Sequence, residues 1–126
     1  MNSKKTVTQG QLTEEAVQIA TMVIIHAGNA RRLVVTALDS AYEHHLADAK
    51  SKLDQAESEI REAHHTQTDL IQSEARGEQV ELSLLLTHAQ DSLMASMIEV
   101  DLANQMIKLY QRIEELEKED SGSHHR

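Results

Sequence analysis

The sequence predicts an all-α protein, and three features of its 126 residues support this prediction. It contains no proline and only four glycines, so few residues interrupt a helix. Its only aromatic residues are two tyrosines, whereas strands are usually rich in aromatic and β-branched side chains. Its apolar residues recur every three or four positions along three long segments, which is the spacing of one helix face. We expect a single domain over 1–126, with an ordered core at about 13–117 and a disordered tail at 118–126.

The charge and the composition argue against several classes of function. A formal net charge of −9 disfavours a nucleic-acid backbone as partner, although such a charge also serves solubility. Cysteine is absent, which excludes disulfides, thiolate nucleophiles and Cys-based zinc sites and fits a cytoplasmic protein. No apolar run follows the basic N-terminus, and the longest predominantly apolar stretch, 20–25, is too short to cross a bilayer. We therefore expect neither a signal peptide nor a membrane helix.

Two helices are predicted in the first part of the chain. The first begins at about residue 13, where a threonine precedes two glutamates, and extends to about residue 43. The Gly-Asn pair at 28–29 is expected to kink it or to divide it, and His44–His45 is expected to form the following turn. The second helix is predicted to end near residues 76–77, an Arg-Gly pair. It carries one narrow apolar stripe, made of Leu46, Ala49, Leu53, Ala56, Ile60, Ala63, Gln67 and Leu70.

The third segment, from about residue 80 to residue 117, carries two apolar stripes on nearly opposite sides of a helix. A small bundle needs only one of them, so the second stripe favours self-association of third helices around a common axis. The first stripe comprises Leu82, Leu86, Ala89, Leu93, Met97, Val100 and Ile107. The second stripe comprises Leu84, His88, Asp91, Ala95, Ile98, Leu102, Gln105 and Leu109. Its polar members are costly to bury unless they are partnered.

His88 and Asp91 are candidates for chemistry because they are three residues apart and emerge from one helix face. A carboxylate close to an imidazole can fix its tautomer and raise its basicity, which favours a nitrogen nucleophile. The same spacing also fits a histidine that is merely satisfied by an acid, and polar stripe residues can serve only to set oligomeric register. In a cyclic oligomer the Asp91 carboxylates approach the axis, where they require either a divalent cation or protonation.

The remaining histidines give weaker signals. His64 and His65 are adjacent, so on a helix they diverge instead of sharing a face. Glu62 and His65 form one Glu-x-x-His element, but carboxylate-bridged di-iron bundles need it twice. His26 is interpreted as a packed histidine of the first helix. Gly-rich phosphate loops, nucleophile elbows and His-Glu-x-x-His motifs are absent from the sequence.

Three stretches resemble one known family. The run VELSLLLTHAQDSLM at 80–94 is similar to the active-site signature of the lactose/cellobiose-type enzyme IIA family of the sugar phosphotransferase system, roughly V-S-L-L-L-x-H-A-Q-D-H-L-M. The stretch IHAGNAR at 25–31 and parts of 62–78 also match, in the right order. The resemblance therefore covers about residues 13–116, nearly the whole chain.

This resemblance implies a function and an assembly. His88 would accept a phosphoryl group from the phosphocarrier HPr and pass it to the cysteine of the cognate IIB, which phosphorylates a disaccharide imported by the membrane component IIC. The IIA itself would bind no sugar. The monomer would be a spectrin-repeat-like antiparallel three-helix bundle that forms a homotrimer through its third helix. Asp91 would hold a divalent metal, usually magnesium, on the three-fold axis.

Ser92 is a departure from the family pattern, which usually has a second histidine at this position, four residues after the active one. That histidine could orient the phosphorylated imidazole from one helical turn away. A serine can still donate a hydrogen bond to a phosphoryl oxygen, but it does not titrate near neutral pH. We expect Ser92 and Gln90 to be supporting residues. Two alternatives follow for position 92: either transfer is slower than in the family, or Ser92 is an engineered or drifted position. The alternative hypothesis is a non-catalytic helical oligomer that acts as an adaptor or scaffold.

Overall fold

The computed structural model describes residues 14–75 and 84–123, and these form three α-helices packed side by side. Helix α1 spans Glu14–Tyr42, α2 spans Leu46–Ala75 and α3 spans Leu84–Ser123. The described residues contain no strand. Two polar contacts join α2 to α3: Glu57 contacts Asn104, and Lys50 contacts Gln111. Residue numbers along α3 therefore increase as those along α2 decrease, so the two helices are antiparallel. The predicted all-α, antiparallel three-helix bundle is confirmed.

The predicted end of α3 needs correction, the break considered at 28–29 does not occur, and two predicted boundaries cannot be compared. Helix α3 continues to Ser123, so residues 118–123 are helical instead of belonging to a disordered tail. This end of the chain is rich in glutamate and lysine, which favour helix, and a glycine appears only at position 122. Helix α1 is not divided at 28–29, where Asn29 donates a hydrogen bond to Glu59 of α2. The predicted end of α2 at 76–77 and the predicted start of α3 at about residue 80 lie outside the described residues.

The turn between α1 and α2 is closed by two backbone hydrogen bonds. The His45 N–H donates to the Ser40 carbonyl at 2.8 Å, and the His44 N–H donates to the Ala41 carbonyl at 3.1 Å. This pattern is the Schellman motif, in which one residue takes a left-handed conformation that glycine usually supplies. His44 takes it here with φ of 66°, and its ring lies 3.2 Å from the Glu114 carboxylate. The turn predicted at His44–His45 is confirmed.

The core is built mainly from small side chains, which allow the helices to approach closely. Six buried alanines and two buried valines line the inner face of α1. One cluster of buried side chains lies near the N-terminal end of α3, and it consists of Ala20, Val23, Ala63, Ala89 and Leu93. Interhelical ion pairs add to this packing at the surface, including Arg31 with Glu99 at 2.9 Å. None of the described helices is both long and apolar enough to span a membrane.

A polar group at the start of α2 joins it to the end of α1. The Asp48 carboxylate accepts hydrogen bonds from the Ser40 hydroxyl at 2.7 Å and from the Lys52 ammonium at 2.9 Å. Lys52 also donates to the Ser40 hydroxyl at 3.1 Å. The hydrogen bonds from Lys52 and then Ser40 lower the pKa of Asp48 from its ordinary value, because they favour the ionised carboxylate. Ionised Asp48 therefore stabilises the fold.

The substitution Asp48→Asn is expected to lower the melting temperature at neutral pH. The pKa of Asp48 is lower in the folded state than in the unfolded state, so its contribution is present above the unfolded-state pKa and is lost as the pH falls through the folded-state pKa. The difference in melting temperature between wild type and variant should thus shrink as the pH falls below 3.8, the ordinary pKa of an aspartate. Thermal unfolding followed by circular dichroism measures it, and Asp54→Asn, an exposed site on the same helix, is the control. A difference of constant size at all pH values would contradict this interpretation.

Candidate functional site

The four predicted site residues lie together near the N-terminal end of α3. His88, Gln90 and Asp91 are exposed, and Ser92 is half-buried. Ser92 lies one helical turn after His88, so the two side chains project from neighbouring positions of one helix face. The structure thus presents the predicted nucleophile to solvent with a hydroxyl one turn away.

The backbone that carries His88 is held firmly by its buried neighbours. Ala89 is 4% exposed and Leu93 is 3% exposed, and both pack against Ala20 and Val23 of α1. Because the side chains of a helix point in successive directions about 100° apart, burial of Ala89 leaves the adjacent His88 outside the bundle. His88 is therefore an accessible side chain on a packed, rigid element.

The two stripes of α3 have opposite environments, as the sequence predicts. Within the first stripe, Ala89, Leu93, Val100 and Ile107 are buried in the bundle, whereas Leu82 lies outside the described residues. The second stripe faces away from the bundle, with exposed fractions of 56% for Ile98, 53% for Leu102 and 63% for Leu109. No other residue in the described part of the chain covers these large apolar side chains. His88 and Asp91 thus lie on a helix face that the monomer leaves open.

The open face of α3 extends further than the sequence interpretation recognised. Ile113 and Leu116 are also about half exposed, and they follow Leu109 in steps of four and three. The sequence contains this signal, since both residues continue the spacing of the second stripe. They were missed because the stripe was ended at Leu109. The apolar face consequently reaches from the site at His88 almost to the end of α3.

Asp91 is a single carboxylate on this face. Among the described residues, no group of three His, Cys, Asp or Glu side chains is arranged to hold a metal ion. An ion at Asp91 would consequently need ligands from further copies of the chain, and hard carboxylate oxygens suit a divalent cation of the magnesium type. Glu62 and His65, the single Glu-x-x-His element, are both exposed on α2. This arrangement does not favour the di-iron interpretation.

His26 has a structural partner that the sequence did not reveal. Its Nδ1 lies 2.5 Å from Glu59 Oε2, and Asn29 donates to the same oxygen at 3.4 Å. Arg32 in turn donates a hydrogen bond to the Asn29 side-chain oxygen. These contacts join α1 to α2, so this part of the IHAGNAR stretch holds two helices together. His26 is therefore a packed histidine, as expected, and its acid comes from a residue 33 positions away.

The fold and the site together define a class of protein: a small helical bundle that presents one histidine on an open face. Comparisons with known proteins identify the family. A family model described as "PTS system, Lactose/Cellobiose specific IIA subunit" matches residues 18–111. The chain belongs to this family, the enzyme IIA components of the lactose/cellobiose type. It is thus a phosphotransferase component, and its role is that of a phosphocarrier.

Individual relatives agree with this assignment. The chain is 43% identical to the lichenan-specific phosphotransferase enzyme IIA component of Bacillus subtilis, over 82% of this chain and 94% of the relative. The crystal structure of the cellobiose-specific enzyme IIA from Bacillus anthracis has a TM-score of 0.77 at 44% identity, covering 82% of this chain and 94% of that one. The IIA(Chitobiose)–HPr complex of Escherichia coli gives a TM-score of 0.70 at 35% identity, covering 81% of this chain and 98% of that one.

Proposed function

We propose that the chain carries a phosphoryl group on His88, accepts it from phosphorylated HPr and passes it to the cysteine of the cognate IIB. The observation that carries this proposal is the exposure of His88 on a packed turn of α3. The matched family region, 18–111, contains this residue. A related IIA forms a complex with HPr, which supports HPr as the donor.

The chemistry required of the site is modest. An imidazole nitrogen of His88 attacks phosphorus while the phosphorus–nitrogen bond to the HPr histidine breaks. In the second transfer, the IIB thiolate attacks phosphorus and the bond to His88 breaks, which returns the imidazole to its free form. Such transfers depend on in-line positioning and charge stabilisation more than on covalent machinery. An exposed His88 lets two partners approach in turn, and Ser92 can donate a hydrogen bond to a phosphoryl oxygen.

Intact-mass spectrometry tests the proposal after incubation with phosphoenolpyruvate, enzyme I and HPr. We expect one acid-labile phosphoryl group per chain, and peptide mapping should place it on His88. The variant Ser92→His should take up the group faster, because an imidazole one turn away can orient the phosphorylated ring. Failure of both proteins to take up phosphate would favour the adaptor or scaffold hypothesis instead.

In this proposal, the sugar that is finally phosphorylated is a disaccharide of the lactose, cellobiose or chitobiose class. The related proteins bear the names of different sugars, lichenan, cellobiose and chitobiose, although they share this fold or sequence. Such variety among similar chains is consistent with a IIA that binds no sugar, with selection left to IIB and the membrane component IIC. We place this carrier in the cytoplasm, where HPr and IIB would meet it. We expect no nucleic acid among its partners.

We also propose that three copies assemble through the second stripe into a homotrimer. Its large apolar side chains Ile98, Leu102 and Leu109 are 53–63% exposed, and exposed apolar surface rimmed by polar residues is typical of an association site. Their spacing of three and four residues suits packing of α3 against other α3 helices. Three Asp91 carboxylates would then meet at the axis, where a divalent cation such as Mg²⁺ fits their hard oxygen donors. When bound there, the cation would offset the repulsion between the carboxylates.

The substitution Asp91→Leu is expected to preserve or strengthen the trimer. It removes three like charges from the axis and lengthens the apolar stripe between Leu84 and Ile98. Sedimentation velocity in the presence of a chelator should show a lower dissociation constant for the variant than for the wild type. Dissociation of Asp91→Leu into monomers would instead show that a cation at Asp91 is required for assembly.

A further inference from the structure

Gln105 is the third polar position of the second α3 stripe, after His88 and Asp91, and nothing in the proposed phosphoryl transfer requires it. It is exposed and lies between Leu102 and Leu109, which are 53% and 63% exposed. Its carboxamide makes no hydrogen bond to any residue that the structure describes. It follows Asp91 by 14 positions, which places the two residues at the same position of a seven-residue repeat, about 21 Å apart along the helix. Three apolar layers, Ala95, Ile98 and Leu102, separate them.

The apolar layers alone do not determine how α3 helices align. A shift by seven residues would place Leu102 beside Leu109 and Ala95 beside Leu102, so apolar side chains would still face apolar side chains. Asp91 disfavours the unshifted alignment in the absence of a cation, because it brings like charges together. Another residue is therefore needed to select the alignment in which the three Asp91 and the three His88 side chains lie at equal heights.

We propose that Gln105 is this register-determining residue, and this inference rests on the self-association proposed above. A carboxamide is both donor and acceptor, so three Gln105 side chains around an axis can form a closed ring of amide-to-carbonyl hydrogen bonds. Shifting one helix by seven residues against the other two would place its carboxamide against Ile98 or Arg112, where an apolar or purely donating neighbour leaves its carbonyl or its NH₂ unsatisfied. A single buried polar residue is known to fix register in coiled coils at some cost in stability. The unshifted trimer is thus favoured at Gln105 even while Asp91 opposes it.

The absence of native cysteine allows a clean test by thiol crosslinking of the full chain. Leu109→Cys and Leu102→Cys chains of different mass are mixed and treated with a short bis-maleimide in the presence of a chelator. In the wild-type background, crosslinks should join equal positions, 109 to 109 and 102 to 102. In the Gln105→Leu background, the ratio of equal-position crosslinks to shifted crosslinks (102 to 109) should fall about fivefold, because about one net hydrogen bond is lost. Sedimentation of the same variant should show association at least as tight as that of the wild type. Gln105→Asn should restore much of the ratio, because it keeps the carboxamide.

Gln55→Leu, the same exchange at an exposed position of α2, is the matched control and should change neither measurement. A Gln105→Leu trimer that still gives only equal-position crosslinks would overturn the role of Gln105 and leave the trimer intact. A wild-type chain that sediments as a monomer would overturn both the trimer and the role of Gln105. Phosphoryl uptake by His88, measured on the same samples, separates these outcomes from failure of the carrier function.

Discussion

The His88→Ala variant is expected to take up no phosphoryl group from HPr, a loss limited only by the sensitivity of the mass measurement. The variant lacks the imidazole nitrogen that forms the phosphorus–nitrogen bond, and neither Ser92 nor Gln90 replaces a nucleophile of that kind. His88 is exposed, so its truncation should change the free energy of unfolding by less than about 0.5 kcal/mol. Circular dichroism and thermal unfolding should therefore be those of the wild type.

The matched control is His65→Ala, which removes an exposed histidine from α2 and should leave uptake unchanged. Uptake by His88→Ala at the wild-type level would show that another histidine is the acceptor, and peptide mapping would then identify it. Loss of uptake together with a lowered melting temperature would point to damaged folding, so both readouts are needed on the same preparation.

Leu102→Asp is expected to convert the proposed trimer into monomers at micromolar concentration. Leu102 lies at the centre of the second stripe, and in the presence of a chelator the substitution would leave three carboxylates on the axis with no cation to offset their repulsion. Desolvation and mutual repulsion cost several kcal/mol, so the dissociation constant should rise by roughly a thousandfold or more. Sedimentation equilibrium measures this shift, and the helix content of the monomer should stay close to that of the wild type because residue 102 faces away from the bundle core.

Two control variants distinguish the effect of the position from the effect of the added charge. Leu102→Met keeps an apolar side chain of similar volume and should retain the trimer. Ser58→Asp adds an acid at an exposed position of α2 and should leave the sedimentation coefficient unchanged. If Leu102→Asp still sedimented as a trimer, the second stripe would not be the association surface, and Ile113 and Leu116 would be the next residues to test.

Much of the fold followed from residue spacing. The three- and four-residue steps of α2 predicted which of its side chains are buried, and Ala49, Leu53, Ala56 and Ala63 are indeed in the core. The opposite faces of α3 were predicted for the same reason, since helical geometry converts spacing directly into direction. The end of α3 was predicted too early because local signals such as Ser121 and Gly122 suggested a tail, whereas the preceding charged residues continue the helix.

The candidate site divides in the same way. The sequence by itself placed Asp91 and Ser92 on the helix face of His88, because residues three or four positions apart share a face wherever the helix lies, and it placed Gln90 on the same turn. It could not supply the pairing of His26 with Glu59, since 33 intervening positions carry no information about which helices meet. Spacing placed the two α3 stripes on opposite sides, and the second was assigned to self-association, but the residues against which the first packs were not predicted. The tertiary structure decided this by packing Ala89 and Leu93 against α1 and α2, which leaves His88 on the open face. Whether a side chain is buried depends on which side chains of the other helices pack against it. Burial is therefore a property of the packed bundle and not of any single helix.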